Sequence, residues 1–322
     1  MFFKYLGQTS VNCQKLIKEY LPTYSEKKQK LFKAALDRHK KDAGEILIGR
    51  VMCDLSSKND VLFMKQEFSL IRNESFYDYS MVNKDEDTWF VNFADPILFI
   101  CYDGDLFAQD EIQTLEMPLL ASCRLFLDNR QIEGLITKTN YEGEPTPYLF
   151  KNVPYWISVN TRPVLRDGQI KNIYGNNFIK ASEEEIEAGI KTFEGDVRCN
   201  ILAMSAPEEN HGYYTKKTIQ MLLKTLLCSF FAIREQSLKR VVVHSGNWGC
   251  GAFGGNKELM YLSQIYCASV CGINELILHS ADEKVLEMAR IEYNMIPDNT
   301  SFSNIVDHIY KKHYKWGKSD GN

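Results

Sequence analysis

Apolar positions along most of the chain alternate between short β-branched runs and longer stretches with helical spacing. The run from Lys239 to His244 is typical of a buried strand, and residues 258–268 after it predict a helix. The strand predicted over 199–204 and the helix predicted over 215–236 repeat this order. Strands that alternate with helices predict an α/β fold, with a mixed or parallel sheet flanked by helices on both faces.

The first 85 residues carry a weaker pattern. An amphipathic helix is predicted over 24–42, because its apolar residues share one face and lysines fill the other. Short strands are predicted at 46–48 and 61–63. We interpret residues 1–85 as a helical N-terminal accessory segment that packs on the main domain, residues 86–322.

The main domain contains further predicted elements. Residues 89–102 are typical of a strand, with an interruption at Pro96, and residues 109–127 predict a helix. The remaining predicted strands are 153–157, 170–174 and 276–279.

A loop with five glycines in ten residues, 246–255, joins the strand at 239–244 to the helix that follows it. Glycine is required where the backbone has a positive φ or approaches another group closely. A strand, a glycine-rich loop and a helix together present backbone N–H groups to an anion, usually a phosphate. Trp248 and Phe253 add apolar surface, so the loop predicts a nucleotide-like ligand. A tight turn is the alternative, although such turns rarely need five glycines.

Two common phosphate motifs do not account for this loop. A Walker A loop ends in Gly-Lys-Ser/Thr, and the hydroxyl is missing from residues 255–258. Residues 249–254 have the spacing GxGxxG of dinucleotide-binding loops, but no acidic residue stands out about twenty residues later.

The sequence GNWGCGAFGG at 246–255 resembles the C-terminal phosphate-binding loop of the poly(ADP-ribose) glycohydrolases, which belong to the macrodomain superfamily. A second block, formed by residues 91–96 and 109–111, resembles the V-D-F-A-N and Q-E-E patterns of that family. Here Asn92 replaces the first acidic residue of the pattern and Asp95 replaces its asparagine. The resemblance extends over roughly residues 89–285.

One departure from the family pattern affects the expected site. The triple glycine that wraps ribose and diphosphate in the family is replaced by residues 98–105, which include Asp103 and Asp105. The chain resembles most a divergent branch of the superfamily, which includes bacterial effector hydrolases acting on ADP-ribosylated protein arginine.

The resemblance implies a macrodomain-like fold and an ADP-ribosylhydrolase, with arginine-linked mono-ADP-ribose favoured as the substrate. A non-catalytic ADP-ribose reader and a poly(ADP-ribose) glycohydrolase remain alternatives. The partners implied are ADP-ribose and an ADP-ribosylated protein, with no cofactor. The acids at 95–111 do not match the spacing of an EF-hand, so we expect no metal.

Carboxylates next to the bond at C1″ of ADP-ribose can stabilise oxocarbenium-like charge or activate water. The resemblance places Glu111 at the position that acts on this bond and Asp110 beside the ribose. Asp103 and Asp105 would attract a cationic target such as a guanidinium, but Asp-Gly pairs are equally typical of turns. The expected catalytic residues are therefore Glu111, Asp110, Asp103 and Asp105. The expected ligand-binding residues are Asn92, Phe93, Ala94, Asp95, Gln109, Asn247, Trp248, Gly249, Cys250, Gly251, Ala252, Phe253, and, for the adenine, Tyr174 and Phe178.

Composition narrows the class of protein. A net charge of −4 over 322 residues argues against a nucleic-acid-binding protein, and no apolar stretch is long enough to span a membrane. The nine cysteines show no CxxC pair or framework spacing, which favours a reducing compartment. The N-terminus lacks the apolar core of a signal peptide, so we expect a cytoplasmic protein.

Overall fold

The computed structural model describes residues 2–54, 61–162, 172–208 and 211–319. Its helices are α1 (Cys13–Glu19), α2 (Glu26–His39), α3 (Gln109–Glu116), α4 (Leu119–Arg130), α5 (Asn177–Lys180), α6 (Glu183–Gly189), α7 (Lys216–Glu235), α8 (Lys257–Val270), α9 (Glu283–Met295) and α10 (Phe302–Tyr310). Its strands are β1 (Phe2–Asn12), β2 (Glu45–Asp54), β3 (Leu62–Met64), β4 (Ser69–Asn73), β5 (Glu86–Ala94), β6 (Asn140–Tyr141), β7 (Glu144–Pro145), β8 (Tyr148–Pro154), β9 (Ile157–Val159), β10 (Ile190–Thr192), β11 (Arg198–Ser205), β12 (Arg240–Ser245), β13 (Glu275–His279) and β14 (Asn299–Ser301).

An eight-stranded sheet in the order β1-β2-β8-β11-β5-β12-β13-β4 forms the centre of the described chain. The five strands from β11 to β4 run parallel, whereas β1, β2 and β8 pair antiparallel. This mixed sheet with flanking helices confirms the predicted fold class. The carboxyl ends of its parallel strands meet at one edge of the sheet, which is where ligand sites of such sheets usually lie.

Strand β5 shows how the sequence divides the core between the two faces of the sheet. Trp89 and Val91 are buried in the apolar cluster that contains α7 and α8. Phe90 and Ala94 alternate with them and are buried in a second cluster, with α3 and α4. Asn92 shares this second face and is fully buried, so its amide lies beneath α3.

Several of the predicted elements differ from the structure, and two of them are interrupted at or next to a proline. The strand predicted over 89–102 ends at Ala94, where the Asp95 carboxylate accepts a hydrogen bond from the backbone N–H of Ile97 (2.8 Å) and closes a turn over Pro96. The helix predicted over 109–127 is divided into α3 and α4 at Pro118, which has no N–H to continue the first helix.

The N-terminal residues contribute strands to the same sheet. β1 and β2 form one of its ends and β4 forms the other, so the predicted boundary at residue 85 does not coincide with a boundary between sheets. The predicted amphipathic helix is α2. Of the strand predicted over 170–174, residues 170 and 171 lie outside the described residues, and residues 172–174 form no strand. No helix in the described ranges is long and apolar enough to cross a membrane.

Candidate active site

A cavity of about 760 Å³ lies at the carboxyl edge of the parallel strands. The loops that follow the neighbouring strands β5 and β12 form two of its walls. We call residues 246–255 the glycine loop and residues 95–111 the acidic segment. Because β5 and β12 are adjacent and parallel, two sequence blocks about 140 residues apart face the same space.

The glycine loop is held by its own backbone. Gly249 and Gly254 have φ values of 72° and 63°, which L side chains rarely adopt. A Cβ on Gly246 would lie 2.6 Å from the carbonyl oxygen of His279. Backbone hydrogen bonds close the loop from Cys250 to Asn247 (2.9 Å) and from Gly255 to Gly249 (2.8 Å). Most of the glycines are therefore required by the loop's conformation alone.

Several amides of the glycine loop remain available to a ligand, among them three in succession. In the described part of the chain, the N–H groups of Gly251, Ala252 and Phe253 donate to no protein group, and all three residues line the cavity. Helix α8 begins directly after the loop, capped by Asn256, whose side chain accepts from the N–H of Leu259 (3.1 Å). Free amides beside a helix N-terminus form a typical anion-binding site.

Two aromatic side chains and one amide side chain of the loop have different roles. Trp248 is among the residues that line the cavity, but its ring is fully buried and its Nε1 donates to the Met204 carbonyl (2.9 Å). Phe253 is half-buried and lines the cavity, as expected. The Asn247 side chain donates to the Ser280 carbonyl (3.1 Å) and accepts from the Tyr261 hydroxyl. Trp248 and the Asn247 side chain therefore anchor the loop.

The C-terminal residues add two features that the sequence pattern does not predict. The N–H of Gly317 donates to the Gly254 carbonyl (2.7 Å), so this segment packs on the glycine loop. Lys318 lines the cavity together with Lys257, the first residue of α8. Both lysines are exposed, which adds two cations to the side of the cavity that carries the free amides.

Asp110 and Glu111 occupy the first turn of α3, and both are buried and line the cavity. The Asn92 amide donates to Asp110 Oδ1 (2.9 Å), and the Ala108 N–H donates to Glu111 Oε2 (3.1 Å). Gln109 ties the helix to β5, since its side chain accepts from the N–H of Phe93 (2.7 Å). The two predicted blocks, 91–96 and 109–111, therefore form one hydrogen-bonded unit.

The two carboxyls of this pair differ in their expected ionisation. Burial first, and then the neighbouring Glu111 charge, raise the pKa of Asp110 to about 8, against the opposing Asn92 hydrogen bond. Burial also raises the pKa of Glu111, but backbone N–H groups and the charge of Lys28 oppose this. Asp110 is therefore expected to hold a proton at neutral pH, and the groups that oppose protonation of Glu111 make the pair asymmetric, as is typical of acid/base pairs.

The other acids of the acidic segment lie in two different environments. Asp95 lines the cavity, whereas Asp103 and Asp105 are exposed and are not among the residues that line it. Gly104 between them lies in a turn closed by its own N–H to the Cys101 carbonyl (3.3 Å). The structure thus places Asp103 and Asp105 where a turn requires polar residues, and it brings only Asp95, Asp110 and Glu111 together.

The two aromatic residues expected at the adenine lie in different surroundings. Tyr174 lines the cavity and stacks against Phe76, with 6.2 Å between ring centroids and an interplanar angle of 18°. Phe178 is fully buried and stacks on Phe107, so the expectation that it contacts a ligand is wrong. Phe76 was not predicted, because residues 74–79 carry no clear periodicity.

Two further groups at the cavity were not predicted as site residues. Glu116, at the end of α3, accepts a hydrogen bond from Tyr79, and burial raises its pKa well above the usual value. His279 also lines the cavity, and its Nε2 lies 2.9 Å from His244 Nδ1. Burial lowers the pKa of His244 to about 3 and lowers that of His279, so both rings are neutral. No group of three or more metal-ligating side chains occurs in the described ranges.

The part of the chain that contains the glycine loop is similar to a known protein family. Residues 171–288 match the family described as poly(ADP-ribose) glycohydrolase (PARG), macro domain fold. The match includes the glycine loop and confirms the predicted resemblance to the glycohydrolase-like macrodomain superfamily. It also supports the class of enzyme expected from the sequence, a glycosidic-bond hydrolase.

Solved structures are similar at low identity. Poly(ADP-ribose) glycohydrolase from Thermomonospora curvata is 13% identical, with 88% of this chain and 84% of that chain covered and a TM-score of 0.42. The enzyme from Deinococcus radiodurans in complex with ADP-ribose is 14% identical, with coverage of 89% and 94% and a TM-score of 0.41. The eight-stranded mixed sheet and the family match over residues 171–288 define the fold class of the chain.

Proposed function

We propose that the protein is an ADP-ribosylhydrolase that releases ADP-ribose from a modified protein, with arginine-linked mono-ADP-ribose as the favoured substrate. One observation carries this proposal. A single cavity combines free backbone amides on the glycine loop with a buried carboxyl pair on α3. The first group suits a diphosphate, and the second suits the chemistry at the ribose.

The arrangement offers a candidate position for each part of ADP-ribose. The amides of Gly251, Ala252 and Phe253 would bind the diphosphate, with Lys257 and Lys318 adding positive charge. Tyr174 would stack on the adenine, together with Phe76. The ribose that carries the scissile bond would then lie at Asp110 and Glu111.

The reaction is a hydrolysis with a simple atom balance. The bond between C1″ and the target nitrogen breaks, a bond from C1″ to a water oxygen forms, and the leaving nitrogen gains one proton. The ionised Glu111 would take the proton from water or stabilise charge on C1″. Neutral Asp110 would donate a hydrogen bond to the ribose. The products are ADP-ribose and the unmodified side chain.

The charge of the acidic segment supports an arginine target. Asp95 and Glu111 line one part of the cavity, next to the neutral Asp110. A guanidinium carries five donors and remains charged, so a site lined by carboxylates attracts it more than it attracts an acidic or hydroxyl target.

The test is release of free ADP-ribose from proteins mono-ADP-ribosylated on arginine, on glutamate or on serine, and from poly(ADP-ribose). Preferential release from the arginine-linked substrate is expected. Release from the polymer alone would favour a poly(ADP-ribose) glycohydrolase, the activity for which the matching family is named. Binding of ADP-ribose without any release would identify a reader.

A further inference from the structure

A buried lysine from the N-terminal part of the chain lies beneath the acidic segment. Lys28, on α2, is 0% exposed, which is rare for this residue type. Its ammonium donates to the carbonyl oxygens of Leu106 (2.6 Å) and Tyr102 (3.4 Å). It also lies 5.8 Å from the centre of the Phe107 ring. Lys28 thus binds the turn that precedes Glu111.

Neighbours of Lys28 reinforce this contact. The N–H of Ser25 donates to the Asp103 carbonyl (2.8 Å), and the Tyr24 hydroxyl donates to the Thr114 carbonyl of α3 (2.9 Å). The Tyr24 ring also packs edge-on against Tyr102, with 5.6 Å between centroids. Residues 24–28 therefore hold both the turn before Glu111 and the helix that carries it.

The charge of Lys28 acts on the same acids. Burial lowers its pKa to about 8, and the carboxylates that oppose this are Glu111 first, then Asp105, Asp103 and Asp110. Lys28 is accordingly the cation that opposes protonation of Glu111. The other charged groups that act on Glu111 are Asp110 on the same helix and Asp95 after β5, and both are acidic.

We propose that Lys28 is a positioning residue, which fixes the turn at residues 102–106 and places a buried positive charge beneath the carboxyl pair at the start of α3. The contribution of Lys28 to catalysis rests on the proposed hydrolase function. In this chain residues 98–105 stand where the glycohydrolases have three glycines, and the support from α2 gives that side-chain-bearing turn a fixed shape.

Three variants separate charge from packing. Lys28→Met removes both the charge and the donor, and Lys28→Gln keeps a donor without the charge. Lys27→Met is the matched control, because the Lys27 ammonium also donates to backbone carbonyls, those of Ile179 (2.6 Å) and Ala181 (2.8 Å). Loss of Lys27 costs similar hydrogen bonds away from the acid pair.

The first measurement does not require enzyme activity. NMR titration of carbon-13-labelled glutamate carboxyls, assigned with Glu111→Gln, is expected to show a higher Glu111 midpoint in both Lys28 variants and no change in Lys27→Met. Where a Lys28 variant fails to fold, Glu111→Gln should lower the midpoint of the Lys28 ammonium in a nitrogen-15 titration, since the coupling is mutual. Unchanged midpoints would overturn the proposal.

The second measurement is the pH profile of ADP-ribose release. The acidic limb of this profile should move to higher pH in Lys28→Met and Lys28→Gln. Release should be about tenfold slower than in wild type below neutral pH, and it should recover at alkaline pH, where wild-type Lys28 itself loses its charge. Equally slow release of ADP-ribose at every pH would show that Lys28 has only a structural role. An absence of release from any substrate would refute the hydrolase proposal, while the titration would still decide the role of Lys28.

Discussion

The two walls of the cavity present different chemical groups to a ligand. The glycine loop offers backbone amides, and its own turns, together with the contacts to His279 and Gly317, fix its shape. The acidic segment offers side chains, and it depends on contacts from Lys28 and Ser25, which lie far away in sequence, and from Asn92 on β5. A short stretch of sequence can specify the first wall, whereas the second wall requires the whole fold.

The two walls also differ in how strongly their charged and polar groups destabilise the folded protein. Backbone amides carry only partial charges, and those of the loop lie beside exposed lysines. The acidic segment buries two adjacent carboxyls, and burial raises the pKa of both. Burying ionisable groups destabilises a fold, and natural proteins retain such groups mainly where function needs them. We therefore expect changes in the glycine loop to affect binding, and changes in the carboxyl pair to affect catalysis and stability.

The largest expected effect is that of Glu111→Gln. This change keeps the shape of the side chain but removes the charge and the titratable proton, so release of ADP-ribose should fall by about 10²–10⁴-fold. Affinity for ADP-ribose should be retained, since the diphosphate contacts lie on the other wall. Turnover and calorimetric affinity, measured on the same preparation, test this separation of the walls.

Glu116→Gln is the control for this variant. Glu116 lies on the same helix and is also buried, and because burial raises its pKa well above the usual value, a neutral glutamine is a mild change there. Its turnover should remain close to that of wild type. If Glu111→Gln released ADP-ribose at the wild-type rate, catalysis would have to be assigned to Asp110 or Asp95.

The next largest effect is expected from Gly251→Val. Gly251 does not have a positive φ, unlike Gly249, so a side chain here tests the ligand site with less strain on the loop. Obstructing one amide-to-phosphate hydrogen bond should weaken ADP-ribose binding by about 10–100-fold. Calorimetry measures the affinity, and circular dichroism establishes that the variant is folded.

Gly104→Val gives the same substitution on the acidic segment. A Cβ on Gly104 would lie 3.7 Å from the nearest carbonyl oxygen, which is ordinary contact, and Gly104 does not line the cavity. Affinity for ADP-ribose should therefore be kept. Equal losses from both valines would show that the glycine loop does not carry the diphosphate.

The sequence predicted the two walls with unequal success, for physical reasons. The glycine loop was located from local residues, because its conformation depends on glycines at fixed positions in ten residues. The pairing of Asn92 with Asp110 was accessible only as two blocks of a family pattern. Lys28, Phe76 and Lys318 could not be found, because nothing in their local sequence indicates that tertiary packing brings them to the site. Trp248 and Phe178 were assigned to the ligand because an aromatic residue in a motif does not reveal which side of the backbone its ring occupies.

A smaller effect is expected on stability. The pKa of Asp110 is raised from 3.8 to about 8 in the folded protein, so the unfolded chain ionises first and this group costs stability as the pH rises through that window. Asp110→Asn should remove the cost and stabilise the protein by about 0.5–2 kcal/mol above the window, with no gain near its lower end. Denaturant unfolding across this pH range measures the difference. A gain that did not grow with pH would contradict a buried, protonated Asp110.

The smallest effects are expected from Asp103→Asn and Asp105→Asn. Both carboxylates are exposed and lie outside the cavity lining, so water and salt screen their influence on Glu111 and on a bound guanidinium. Turnover should change by less than about threefold in each variant, whereas Asp95→Asn, at the cavity, should lower it further. Steady-state rates at low and high salt provide the measurement, since a screened charge loses its effect as salt rises. A loss in either exposed variant as large as that of Glu111→Gln would mean that the turn at residues 98–105 closes over the substrate and acts directly. All four acids named from the sequence would then belong to the catalytic wall, and the support from α2 would have to permit that movement.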